Sequence, residues 1–277
     1  MTDTGPAGSP QRVLVVTKGH PFEAEPFFAV FDDLGLDWRG VEHPEAAEVL
    51  NRAGTADVDA LVMYDMPGIT FTRSDPPATF ELPSEAFRDG YRELLIEGRG
   101  LVFLHHAIAS WPAWPQFARW LGGRFHYQPG SFAGTDWPDS GYVHEVTHTV
   151  EVLAPEHAVC AGVEPRFTIT DELYLFPVAE GDVVPLLRST HRFTDDGFYS
   201  ADRAIRGTRN SREGWRHPPG SDLVGWVTNA ENSPIVYLQF GDGPTTYADP
   251  TFRRLVGNAV DWVASDDAHR WARARNA

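Results

Sequence analysis

Two hydrophobic periods alternate through the first hundred residues. Arg12-Val13-Leu14-Val15-Val16-Thr17 is an apolar run of strand length, and Lys18-Gly19-His20-Pro21 turns the chain after it. Residues 22–35 carry helical spacing and stop at Gly35. Asp37 to Glu42 and Val58 to Met63 read as a second and third strand, the latter running into the loop Tyr64-Asp65-Met66-Pro67-Gly68. Ser84 is placed as a helix N-cap, with Phe87, Tyr91, Leu94 and Leu95 at helical spacing behind it. Gly98 and Gly100 close that helix ahead of a fourth apolar run, Gly100 to Leu104. Strands separated by helices predict an α/β fold with a mostly parallel, doubly wound sheet.

The second half is richer in strands. His144 to Val152 alternates strictly and reads as a half-buried strand, and further strands are expected at 166–170, 182–188, 222–228 and 234–240. Pro250 to Ala264 reads as an amphipathic helix with Phe252, Leu255, Val256, Ala259 and Trp262 on its apolar face. Residues 195–220 are polar and punctuated by Gly and Pro; a loop of that length is functional or an insertion. With no repeat and no clean linker, the expected organisation is a disordered lead-in (1–10), one α/β domain (11–265) and a C-terminal tail (266–277).

Composition narrows the function. A hydrophobic fraction of 42% in 277 residues suffices for a sizeable core. The formal charge of −16 repels phosphodiesters and anionic lipid, so neither nucleic acid nor membrane is expected as a partner. No stretch approaches the roughly 20 apolar residues of a membrane span. The first ten residues lack the apolar core of a signal peptide, and a cytoplasmic protein is expected. The single cysteine, Cys160, excludes an internal disulfide and a multi-cysteine zinc site, and reads as a small buried apolar residue. No phosphate loop appears and no Gly-x-Gly-x-x-Gly follows the first strand, so no nucleotide cofactor is expected.

The chemistry concentrates in histidines, of which there are 11. His105-His106 follow the fourth strand directly, where α/β enzymes display a reactive side chain, and no Cys or Ser stands there. His20 follows the first strand, so a parallel sheet brings all three imidazoles to one edge. There they can transfer protons or bind Zn²⁺, Mn²⁺ or Ni²⁺; the plainer alternative is that they pin loops by hydrogen bonds to backbone. His144 and His148 are about 13 Å apart on a regular strand, too far to chelate one ion, and His144 is the better candidate. Asp171-Glu172-Leu173-Tyr174 ends a β run; its acids suit sugar hydroxyls, base catalysis or a metal shell, or else a solvated turn. Trp215 can stack on a sugar face or anchor a loop. His43, His157 and His269 read as surface residues.

At Lys18-Gly19-His20, Phe103-Leu104-His105-His106-Ala107, Trp120-Leu121-Gly122-Gly123-Arg124-Phe125, Thr170-Asp171-Glu172-Leu173-Tyr174 and Pro234-Ile235-Val236-Tyr237 the chain resembles the ThuA-like (trehalose utilisation) family of the class I glutamine amidotransferase-like superfamily. The resemblance spans roughly residues 12–264. It implies a flavodoxin-like three-layer α/β/α fold and a link to carbohydrate metabolism. Many relatives carry a Gly-His pair after the last strand, where this chain has Gly241-Asp242-Gly243. The elbow cysteine of the glutaminase branch is absent. The resulting expectation is acid–base chemistry by His106, His105 and Glu172 on a sugar, disaccharide or keto-sugar held by Tyr174, Trp215 and Asp242. One divalent metal, zinc first, would sit on His20, His106 and His144. A non-catalytic sugar-binding or sensing protein is the alternative, and a homo-oligomer is compatible with either.

Overall fold

A computed structural model describes residues 10–72 and 74–276. The lead-in, Pro10 apart, lies outside the described residues. The first half runs β1 (Arg12–Lys18), α1 (Ala24–Asp33), β2 (Asp37–Glu42), α2 (Ala46–Val49), β3 (Ala60–Asp65), a hairpin of β4 (Ile69–Phe71) and β5 (Ala78–Phe80), α3 (Glu85–Glu97) and β6 (Gly100–Leu104). There follow α4 (Pro115–Leu121), a hairpin of β7 (Gly130–Phe132) and β8 (Thr135–Trp137), β9 (Gly141–Val152), β10 (Arg166–Leu175), β11 (Val184–Ser189), β12 (Tyr199–Ser200) and α5 (Ala201–Ile205). The chain ends with β13 (Leu223–Ala230), β14 (Ser233–Leu238), α6 (Pro244–Tyr247), α7 (Pro250–Val263) and α8 (Asp266–Asn276). Among the described residues no helix is long and apolar enough to cross a membrane.

One sheet runs through both halves in the order β10-β9-β11-β13-β14-β6-β3-β1-β2. The strands β2, β1, β3, β6 and β14 pair in parallel, in the flavodoxin-like order. Beyond β14 the pairings are antiparallel. Successive side chains of a strand point to opposite faces, and here they feed two cores. Val13, Val15, Val62, Val102 and Leu104 face the helices α1, α7 and α8, whereas Leu14, Val16, Leu61, Leu101 and Phe103 face α3 and α4. The central strands β1, β3, β6 and β14 are thus buried on both sides, and they read as nearly unbroken apolar runs for that reason.

Local signals set the helix ends. Ser84 Oγ accepts from the Phe87 N–H at 3.2 Å, and Gly98 ends α3 at φ +88°, the left-handed conformation that suits glycine. A side chain at Gly100 would place Cβ 2.2 Å from the Val263 carbonyl oxygen, so glycine lets the end of α7 lie against β6. Residues 266–276, expected as a tail, form α8 instead. Ala268 and Ala272, four residues apart, are buried on one side, and acids in the first turn with arginines in the last complement the helix dipole. Polarity hid this helix, because its apolar stripe consists mainly of two alanines.

His148 on β9 is buried, with Nδ1 2.8 Å from Ser189 Oγ. Burial lowers its pKa to about 4, and that of buried His126 to about 3. Between the unfolded value near 6.5 and these folded values, the unfolded chain binds the protons. Stability from each group is therefore complete above about pH 6.5 and falls on acidification, by up to about 1.4 kcal/mol per pH unit per histidine. Denaturant unfolding from pH 7 to 4.5 should show a shallower acid slope for His148→Gln than for the wild type.

Candidate functional site

The parallel strands deliver their histidines to one edge, at the switch between β1 and its neighbours. The chain leaves β1 through Gly19 to His20 and leaves β6 directly into His105. His105 adopts φ +50°, a left-handed conformation for a non-glycine residue, and opens a 3₁₀ turn over His105–Ala109. Such backbone is tolerated where surrounding structure fixes it, and often at reactive turns. The rings of His20 and His106 stack at 4.8 Å, and His105 stands edge-on to both, at 6.0 and 5.7 Å.

His105 is the hub. Nδ1 lies 2.8 Å from the Gln239 carbonyl, which can only accept, so Nδ1 carries a proton. Around Nε2 stand the Tyr174 hydroxyl at 2.7 Å, Glu172 Oε2 at 3.2 Å and Asp242 Oδ1 at 3.4 Å. Burial alone would lower the His105 pKa, but hydrogen bonds to Asp242 and Glu172 outweigh it and push it up to about 10. Glu172 is equally buried, yet His105 and His144 hold it ionised well below the usual carboxylate range. The neighbouring imidazoles go the other way. Burial, with His105 adding repulsion, lowers His20; burial, with His20 and His105, lowers His106 further. Rings in contact thus have opposed protonation preferences, the arrangement that assigns acids and bases in enzyme sites.

A β-bulge brings in the fourth histidine. Asp171 pairs with Val146 and Leu173 with Val143, so Glu172 alone faces both His144 and Glu145, the latter at φ +53°. His144 is thereby turned so that Nδ1 lies 3.0 Å from Glu172 Oε1, with its ring half exposed. Asp171, beside Glu172 on the strand, points the opposite way. It accepts from the backbone N–H of Glu172 (2.9 Å), Gly241 (2.7 Å) and Asp242 (3.1 Å), and burial pushes its pKa up to about 6. The turn after β14 is tied to β10 by these bonds. Tyr64 adds another tie, donating to the Gly241 carbonyl at 2.6 Å. A cleft of about 370 Å³ lined by Glu145, Thr170, Asp171, Glu172, Asp242 and Thr245 opens beside the cluster.

The structure therefore brings together His20, His105, His106, His144, Glu172, Tyr174 and Asp242. It does not bring in Trp215, whose indole is buried in the core and donates to the Asp139 carbonyl at 3.1 Å, leaving no face for a sugar. The expected metal trio also changes. His106 lies with Nε2 3.2 Å from the Tyr64 carbonyl, donating to it, and His144 is spent on Glu172. Among the described residues the candidate ligand atoms that converge, all within 4.8 Å, belong to His20, Glu172 and Asp242. Asp171–Tyr174 is not a solvated turn but the buried interior of β10. His43 is likewise buried, its Nε2 3.0 Å from Asp65 Oδ2. The sequence paired Asp171 with Glu172 as a candidate acid but did not show its role in holding the backbone, and Asp65 went unassigned; the available signal was a lone acid or acid pair inside an apolar strand, where each buried carboxylate needs partners of its own.

Cys160 lies apart from the cluster, buried, and burial pushes its thiol up to about 11. It is neither exposed nor activated as a nucleophilic thiol must be. Cys160→Ser should leave any turnover within about tenfold of the wild type, and iodoacetamide should label the native protein only as it unfolds.

Three layers with a histidine–carboxylate cluster at the carboxyl edge of a flavodoxin-like sheet define the class. Within it, residues 12–263 match the family described as ThuA, trehalose utilisation, and the chain belongs to that family. No curated protein matches the chain. Among solved structures it is similar to a ThuA-like protein from Bacteroides uniformis, at 20% identity and TM-score 0.64, covering 96% of each chain. It is also similar to one from Parabacteroides merdae, at 14% identity and TM-score 0.64, covering 92% of this chain and 90% of that one. A cytoplasmic protein from Salmonella typhimurium shares the fold at 13% identity and TM-score 0.54, covering 91% of this chain and 98% of that one.

Proposed function

We propose that the protein is an acid–base enzyme acting on a small neutral carbohydrate: a sugar, a disaccharide or a keto-sugar. The observation that carries this reading is the single nitrogen His105 Nε2, with Tyr174, Glu172 and Asp242 oxygens all within 3.4 Å. In its protonated form His105 donates from Nε2 to a substrate oxygen and regains a proton at the same nitrogen from the incoming water or hydroxyl, while the ionised Glu172 carboxylate stabilises the charge on the ring. The Gln239 carbonyl keeps the ring oriented. Tyr174, raised well above a phenol's usual pKa by burial, stays neutral and donates or accepts as the ring requires. Asp242 lines a cleft within the usual size of small-molecule sites and, with the half-exposed His144 beside Glu172, suits sugar hydroxyls. The family's trehalose-utilisation description supports the substrate class. The absence of an available thiol argues against glutamine hydrolysis.

The test is incubation of the protein with trehalose, other neutral mono- and disaccharides and their keto derivatives, with products followed by NMR. Turnover of at least one, abolished in His105→Ala, is the expected result. Saturable binding without turnover would favour the sensing alternative, and neither binding nor turnover of any member would overturn the carbohydrate reading.

A further inference from the structure

We propose that His20, Glu172 and Asp242 form a binding site for one divalent first-row cation, zinc in preference to manganese. The proposal goes beyond the sugar reading and stands or falls without it. One ring nitrogen of His20 and one oxygen from each carboxylate lie within 4.8 Å of one another. An ion bound at about 2.0 to 2.2 Å in tetrahedral geometry separates such ligands by about 3.4 Å, so no pair need close by more than about 1.4 Å. Side-chain rotation of Asp242, 27% exposed, gives that freedom.

The surroundings prepare each ligand. His20 Nδ1 lies 2.9 Å from the Pro21 carbonyl, which only accepts; Nδ1 therefore carries the proton and Nε2 keeps its lone pair. A backbone carbonyl fixing the tautomer in this way is what metal-binding histidines commonly have behind them. Glu172 is held from both sides, by His105 at Oε2 and His144 at Oε1, and each oxygen retains a further lone pair. Asp171 fixes the backbone of Asp242. Charge supplies the demand. Two carboxylate oxygens meet beside the single nitrogen His105 Nε2, so negative charge is concentrated where the candidate ligand atoms converge. One imidazole with two carboxylates is a donor set that suits zinc and, more weakly, manganese.

The experiment uses full-length protein prepared without nickel or a histidine tag and stripped with chelator. Zn²⁺ and Mn²⁺ are titrated separately against it in competition with a chromophoric chelator. One equivalent should bind, zinc more tightly than manganese. His20→Ala and Asp242→Asn should each weaken zinc by more than about tenfold, with His191→Ala unchanged. Melting curves of the metal-free variants report folding; if His20→Ala is unfolded, Asp242→Asn alone decides. No saturable zinc binding below about 1 mM, or binding unmoved in the folded variants, would overturn the site. No sugar is present, so its failure is distinct from failure of the carbohydrate reading.

Discussion

Glu172→Gln should lower turnover by about 10²- to 10⁴-fold, the usual contribution of a positioned acid–base group, while the protein still folds. The substitution keeps shape and removes charge. In the wild type each Glu172 oxygen faces an imidazole, His105 at 3.2 Å and His144 at 3.0 Å. A neutral amide offers one acceptor where there were two, and its NH₂ group presents a donor to a ring nitrogen that already carries a proton when charged. The proton on His105 then loses one of its two carboxylates, and the negative charge that stabilises the protonated ring is halved. Steady-state kcat/KM on whichever carbohydrate is turned over measures the effect, with a melting curve alongside. A value within tenfold of the wild type would show that Glu172 stands beside the chemistry and takes no part in it.

The second large effect is on stability. Asp171→Ala should cost about 3 kcal/mol, because it strips the acceptor from three backbone N–H groups at once: Glu172, Gly241 and Asp242. Each buried donor left without a partner costs about 1 to 3 kcal/mol. Relief of the buried carboxylate, whose pKa burial pushes to about 6, offsets part of the sum. At about 2 to 4 °C per kcal/mol for a domain of this size, the melting temperature should fall by roughly 6 to 12 °C. Asp171→Asn, which keeps one carbonyl oxygen, should fall less. Equal melting temperatures for wild type and Asp171→Ala would show that the turn after β14 holds itself without this carboxylate.

The fold was legible because burial on both faces writes the parallel strands as continuous apolar runs, and because Ser84 and Gly98 mark helix ends by local chemistry. The meeting of His20 with His105 and His106 followed from topology alone: strands running the same way end at the same edge. Other features depend on contacts between segments distant in sequence. Nothing near Trp215 announces that the Asp139 carbonyl takes its N–H, and nothing near His43 announces Asp65. The acids on β10 were visible, but their burial comes from β9 and from the turn after β14, and these fix which acid faces the histidines and which holds the backbone.

The bulge at His144 and Glu145 has a consequence for inheritance. It acts as a phase shift in the strand's two-residue rhythm: Tyr142, before it, packs on the α3–α4 side, whereas Val146 and Val150, also even-numbered, pack on the other. His144 and His148 owe their different surroundings to this change of parity as much as to their identities. Loss of one residue here would restore the rhythm and exchange the faces on one side of the break, carrying His144 away from Glu172 without any histidine being replaced. A gap of one position in this strand of a relative therefore counts as a change to the cleft, however well the surrounding letters align.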